Sequence, residues 1–182
     1  MAHIELPLTY LARHGETAWS LSGQHTGLTD LPLTEVGEGN ARRLRDALTG
    51  LTFAKVFCSP LRRARRTCEL AGFGSRAEIV PDLLEWDYGE YEGRRTVEIH
   101  AKRPDWQLFR DGCPRGESPQ QVAARADRVV ELSAVSFRER SALFQRTFPP
   151  NVGRTMGRYR HIRGQVFDAE HCKPERSGLR TP

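Results

Sequence analysis

The sequence predicts an α/β fold on a mostly parallel sheet, and three observations carry that expectation. Short apolar runs alternate in order with helix-patterned stretches. Those stretches open on capping residues, and the arginine clusters fall where the apolar runs end, as ligand sites do at strand carboxyl ends. With 182 residues and 38% hydrophobic content, the chain can bury one core of ordinary size.

Residues 6 to 12 read as a strand, Thr34 to Leu48 as a helix with alanines and leucines on one face, and 53 to 58 as a buried strand. Ser59 as N-cap and Pro60 at the first helical position begin a further helix that ends at Gly72. A short strand is expected from Glu78 to Val80, and Ser118-Pro119 starts a helix reaching Leu132. No internal repeat or low-complexity segment interrupts this order.

The first apolar run ends in Arg13-His14-Gly15-Glu16-Thr17. A neutral imidazole is a good nucleophile toward phosphorus, and a covalent phosphoenzyme splits one difficult displacement into two easier ones, so His14 is the candidate nucleophile. The Arg13 guanidinium can hold two phosphate oxygens at once. Gly15 would let backbone approach the phosphate and turn sharply out of the strand. The arginines of Leu61-Arg62-Arg63-Ala64-Arg65-Arg66 sit in the first turns of a helix whose N-terminus attracts anions, although at least two belong to a solvated face. In Leu83-Leu84-Glu85-Trp86-Asp87-Tyr88-Gly89-Glu90-Tyr91-Glu92-Gly93, acids interleave with aromatics. Glu85 is the candidate general acid, its proton affinity raised by aromatic neighbours.

Together these segments resemble the histidine phosphatase superfamily, the phosphoglycerate-mutase-like group. The likeness covers residues 6 to 131 and also takes in Thr26-Gly27, Leu33-Thr34 with Gly37, and Gly116-Glu117-Ser118. It implies a three-layer α/β/α fold of the phosphoglycerate mutase type with an incomplete or disordered C-terminal part. It also implies His14 as the phosphorylated residue, Arg13 and Arg63 as phosphoryl ligands, and Glu85 as proton donor. Arg63 is preferred to Arg62 because the family's arginine directly precedes the alanine, here Ala64. Ser20 stands where mutases usually carry Asn, and its hydroxyl, with Thr26 and Gly27, is expected at the substrate. The run from Glu85 to Gly93 is similar to that of phosphatase members, one branch of which acts on sugar bisphosphates. The expected activity is therefore hydrolysis of small phosphorylated metabolites, with phosphoglycerate mutase as the alternative.

The charge divides unevenly. Residues 1 to 131, the expected catalytic domain, hold 18 Lys+Arg against 19 Asp+Glu, whereas 132 to 182 hold 10 against 4. This second segment reads as a basic, irregular tail. Family members place a second histidine there after a core strand. Neither His161 nor His171 fits that pattern, so no second histidine is assigned and turnover is expected to be weak. Codons permitted for residues 143 to 156, read one nucleotide later, include Phe-Ser-Ser-Gly-His-Phe-Leu-Arg-Met-Leu-Ala-Ala-Arg-Trp, which resembles the family segment. A frameshift near residues 133 to 138 is the expectation, with loss of a core strand and exposed sheet edges as its consequence.

Other classes fare less well. A basic tail binding nucleic acid or another polyanion beside an inert domain is a rival, but the tail has few aromatics and no nucleic-acid motif. A non-catalytic sensor that keeps the pocket is a third reading. The absence of an apolar run of about 18 residues argues against a membrane span, and the N-terminus lacks the pattern of a signal peptide. A cytoplasmic protein is expected, with Cys58, Cys68, Cys113 and Cys172 as free thiols. No metal or cofactor is expected, and the sequence leaves the oligomeric state open.

Overall fold

The computed structural model describes residues 8–134, 141–144, 163–168 and 174–175. Its elements run β1 (Leu8–Arg13), α1 (Ala18–Ser22), α2 (Glu35–Ala47), β2 (Lys55–Cys58), α3 (Arg62–Leu70), β3 (Ala77–Ile79), α4 (Thr96–His100), α5 (Leu108–Asp111), α6 (Pro119–Ala134), β4 (Ser141–Phe144), β5 (Arg163–Asp168) and β6 (Pro174–Glu175). Six strands form one sheet in the order β3-β2-β4-β1-β5-β6, parallel throughout except for the antiparallel β5–β6 pair.

Pleating divides the side chains between two layers. Tyr10, Ala12, Val56 and Cys58 pack on one face against Leu44 and Leu48 near α2 and Ala64 and Cys68 of α3. Leu11 and Phe57 point the other way, to Val80, Leu83 and Val129 of α6. Helix α6 supplies this face because Val122, Ala126, Val129, Val130 and Ser133 recur at helical spacing and are all buried. A third cluster of Trp86, Tyr91, Ile99, Trp106, Cys113 and Val122 consolidates residues 86–122 beside the sheet. The arrangement is the expected three-layer α/β/α.

Capping explains the helix starts. The Thr34 side chain accepts from the Gly37 N–H at 3.0 Å and opens α2. Before α6, Ser118 and Gln121 cap each other reciprocally, the Ser118 oxygen accepting from the Gln121 N–H and the Gln121 side chain from the Ser118 N–H. Helix α3 differs from the expected Ser59-Pro60 start. Regular helix begins at Arg62, where Asp30 of a distant loop accepts the Arg62 N–H at 2.7 Å. The cap arrives through tertiary structure, and the Ser59 hydroxyl accepts from the Leu61 N–H at 3.4 Å.

Beyond residue 132, where the sequence shows no strand periodicity, β4, β5 and β6 nevertheless form. Parallel pairing is made by backbone groups, so it does not require side-chain alternation. Most of the proposed frameshift region, together with His161, His171 and Cys172, lies outside the described residues. Cys58, Cys68 and Cys113 are buried free thiols. Burial, aided by the nearby Asp87 and Glu92 charges, pushes the Cys113 thiol up to about 12.

Candidate active site

Strand β1 ends at Arg13 and delivers His14, which is buried, at the carboxyl edge of the parallel sheet. The His14 Nδ1 lies 2.7 Å from the Gly15 carbonyl oxygen. A carbonyl only accepts, so Nδ1 carries a proton, and in the neutral imidazole the lone pair is then on Nε2. The tautomer is thus set for attack through Nε2.

The turn after His14 is fixed from two sides. Its Gly15 N–H donates to the Thr67 hydroxyl at 3.1 Å, and that hydroxyl donates to the Arg63 carbonyl one turn back in α3. A Cβ on Gly15 would meet the Gly37 carbonyl oxygen at 2.2 Å, and one on Gly37 would meet the Glu16 carbonyl at the same distance. Glycine at 15 is required by the crossing of this turn over the start of α2. This packing reason adds to the expected one, room for phosphate.

Among the α3 arginines, Arg62, Arg65 and Arg66 are exposed, while Arg63 is 1% exposed. Its guanidinium donates to the carbonyls of Thr29 at 3.0 Å, Gly27 at 2.8 Å and Thr26 at 3.4 Å. Burial pulls the Arg63 pKa down, and the charges of Glu85, Asp30 and Glu92 oppose that pull. Glu85, whose charge acts on Arg63, is itself a buried carboxyl that accepts from the Trp86 N–H at 3.0 Å.

The loop that holds Arg63 is held in turn by Glu92. One carboxylate accepts the Gly27 N–H through both oxygens, at 2.9 and 3.0 Å, and the Thr29 N–H at 3.0 Å. A Cβ on Gly27 would meet the Trp86 carbonyl at 2.2 Å, so this loop also presses on the strand of chain bearing Glu85. Gly27 therefore has its N–H on Glu92 and its carbonyl on Arg63, and the Thr26 hydroxyl donates to the Gln24 carbonyl at 3.3 Å. Ser20 lies in the α1 cap, where its hydroxyl accepts from the Thr17 N–H at 2.8 Å and donates to the Thr17 carbonyl at 3.0 Å. Ser20, Thr26 and Gly27, the three expected substrate contacts, thus each make hydrogen bonds within the protein.

Thr67, Glu92 and Asp30 were not singled out in the sequence. Glu92 carried a signal, being the last acid of the aromatic-acidic run, whereas Asp30 and Thr67 act across the fold and carried none of their own. Among the described residues, no group of three His, Cys, Asp or Glu side chains could hold a metal ion. No helix among them is long and apolar enough to cross a membrane.

The chain is similar to known proteins. Residues 9–144 match the model of the histidine phosphatase superfamily, branch 1. The chain is 45% identical over 136 residues to an acid phosphatase of Mycobacterium tuberculosis, an alignment covering 74% of this chain and 66% of that protein. It is 40% identical to the sedoheptulose 1,7-bisphosphatase of Saccharomyces cerevisiae, over 68% of this chain and 54% of that one. The chain thus spans just under two thirds of the first relative and about half of the second. A solved structure of a Mycobacterium tuberculosis open reading frame product superposes with a TM-score of 0.71 at 41% identity, covering 74% of this chain and 71% of that one. A phosphoglycerate mutase structure from Thermus thermophilus gives 0.58 at 38% identity, over 74% and 75%.

Proposed function

We propose an activity from one premise: the chain belongs to the histidine phosphatase superfamily. It hydrolyses small phosphorylated metabolites, sugar phosphates among them, through a phosphohistidine on His14. The observation that carries this reading is the His14 tautomer, proton on Nδ1 and lone pair on Nε2, at the end of the strand that also bears Arg13.

In this reading Arg13 and Arg63 neutralise the phosphoryl oxygens while His14 Nε2 attacks phosphorus in line with the leaving oxygen. The P–O bond to the alcohol breaks, and Glu85 gives its proton to the departing alkoxide. Glu85, now a carboxylate, takes a proton from water, whose oxygen attacks the phosphohistidine and releases inorganic phosphate. Thr26 and Gly27 contribute through their grip on Arg63, and Ser20 through the α1 cap. With no second histidine assigned, turnover is weak, since one lost phosphate donor commonly costs roughly a hundredfold or more. Buried free thiols fit a reducing, cytoplasmic setting.

The likeness to a probable phosphoglycerate mutase of Cronobacter sakazakii, 36% identical over 64% of this chain, favours mutase action as the second reading. One experiment separates them. The chain and its His14→Ala variant are assayed on a chromogenic phosphate ester, and acid-quench labelling tests for phosphohistidine. Hydrolysis and label that both vanish in the variant support the reading, and hydrolysis that survives refutes it. Isomerisation of a phosphoglycerate faster than its hydrolysis turns the assignment to mutase.

A further inference from the structure

The segment bearing Glu85 is fastened by two residues that do not belong to it. Glu117 and Arg125, eight residues apart across the start of α6, form a two-point ion pair, Nε to Oε1 and Nη2 to Oε2, both at 2.7 Å. Their side chains are 19% and 14% exposed. This is the geometry in which a guanidinium is most strongly oriented by a carboxylate.

The remaining hydrogen-bonding groups of the pair are directed at the chain on either side of Glu85. Arg125 Nη1 donates to the carbonyls of Asp82 and Leu84, both at 2.9 Å. Glu117 Oε2 accepts from the Asp87 N–H at 3.0 Å. The backbone of Glu117 adds a reciprocal bond to Asp87, N–H to carbonyl at 2.9 Å, and its carbonyl accepts the Trp86 indole N–H at 3.0 Å. Leu84 and Asp87 flank Glu85-Trp86, so the peptides before and after the acid are both tied to one rigid ion pair.

We propose that Glu117 and Arg125 are positioning residues that fix the direction of the Glu85 carboxyl toward the leaving oxygen; this rests on the phosphatase reading above. They touch no substrate. A general acid is worth on the order of a hundredfold or more only if it lies within hydrogen-bond reach of the oxygen it protonates. A peptide held at both ends keeps it there, and a loosened one lets it swing.

The test uses Arg125→Lys and Glu117→Gln in the full chain with two esters, an alkyl phosphate whose alkoxide must be protonated and dinitrophenyl phosphate whose leaving group needs no proton. The expected result is a loss in kcat/KM, which reports only the steps up to the phosphohistidine, of roughly ten- to a hundredfold on the alkyl ester with less than about threefold on the dinitrophenyl ester, and flattening of the pH limb set by the acid. Equal losses on both esters, or none on either, would overturn the proposal. Hydrogen–deuterium exchange over residues 84–87 reads the clamp without turnover: faster exchange confined to that segment in Arg125→Lys supports it, and unchanged exchange overturns it. If the wild-type chain hydrolysed neither ester while exchange responded as expected, the phosphatase reading would fall and the role in proton donation with it.

Discussion

Replacing Glu92 by Gln tests the scaffold behind Arg63 with almost no change in volume. The carboxylate takes two backbone N–H groups, those of Gly27 and Thr29, at 2.9 to 3.0 Å. Bonds to a charged acceptor are worth about 1.5–3 kcal/mol and neutral ones about 0.5–1.5, so neutralisation costs about 1 kcal/mol for each. The amide also turns a donor toward the Gly27 N–H, which the second carboxylate oxygen now accepts at 3.0 Å. A total near 2 kcal/mol corresponds to a Tm drop of roughly 4–8 °C in a domain of this size. Because the loosened loop carries the carbonyls that hold Arg63, kcat/KM falls up to about tenfold as well. The control is Glu90→Gln, two residues away, where the carboxylate pairs at 3.1 Å with an Arg115 side chain that is 86% exposed. Such a surface pair contributes under about 1 kcal/mol. Thermal unfolding and ester hydrolysis of both variants decide the matter. An E92Q protein that melts within about 1 °C of E90Q and turns over equally well refutes the argument.

Two further outcomes follow from the same geometry. Gly15→Ala drives a methyl to 2.2 Å from the Gly37 carbonyl and destabilises the chain by about 3 kcal/mol or more, whereas Gly39→Ala, where a Cβ meets nothing within 4 Å, stabilises α2 by about 0.5–1 kcal/mol; urea midpoints of the two variants move in opposite directions. Burial opposes ionisation of Glu117, but the Arg125 guanidinium and the Asp87 N–H outweigh it and hold the carboxyl below its usual range. A carboxyl depressed in the folded state stabilises fully above the unfolded value of about 4.3, and that contribution drains away as pH falls through the folded value. The urea midpoint of the wild type therefore exceeds that of Glu117→Gln above about pH 5, and the gap narrows in acid; a gap independent of pH contradicts the ion-pair account.

Features set by neighbouring residues were legible in the sequence, and those set by distant ones were not. Helix α2 could be read because Thr34 and the spacing of Ala41 and Leu44 lie within a few turns of one another. The start of α3 was placed too early because its cap, Asp30, comes from 32 positions upstream. Arg63 was distinguished from Arg62 by its place before Ala64, yet its burial against the carbonyls of Thr26, Gly27 and Thr29 had no local signature. Glu117 and Arg125 stand eight residues apart with a helix start between them, and nothing in that spacing signals that both bind the chain on either side of Glu85. Strands β4 and β5 flank β1 although their sequences lack alternation, because a central parallel strand is defined by its neighbours' backbone.

The sheet order has a consequence for how the molecule is made. Strand β1, which bears the nucleophile, and β2, which leads to Arg63, never pair with each other; β4 lies between them, with Ser141 opposite both Thr9 and Lys55. During synthesis, the two halves of the phosphate grip must therefore wait, each with an open edge, until the chain has extended from Arg13 and from Cys58 as far as Ser141. The wedge that joins them emerges after all the catalytic candidates, so a nascent chain halted near residue 134 would carry every one of them and still have no keystone.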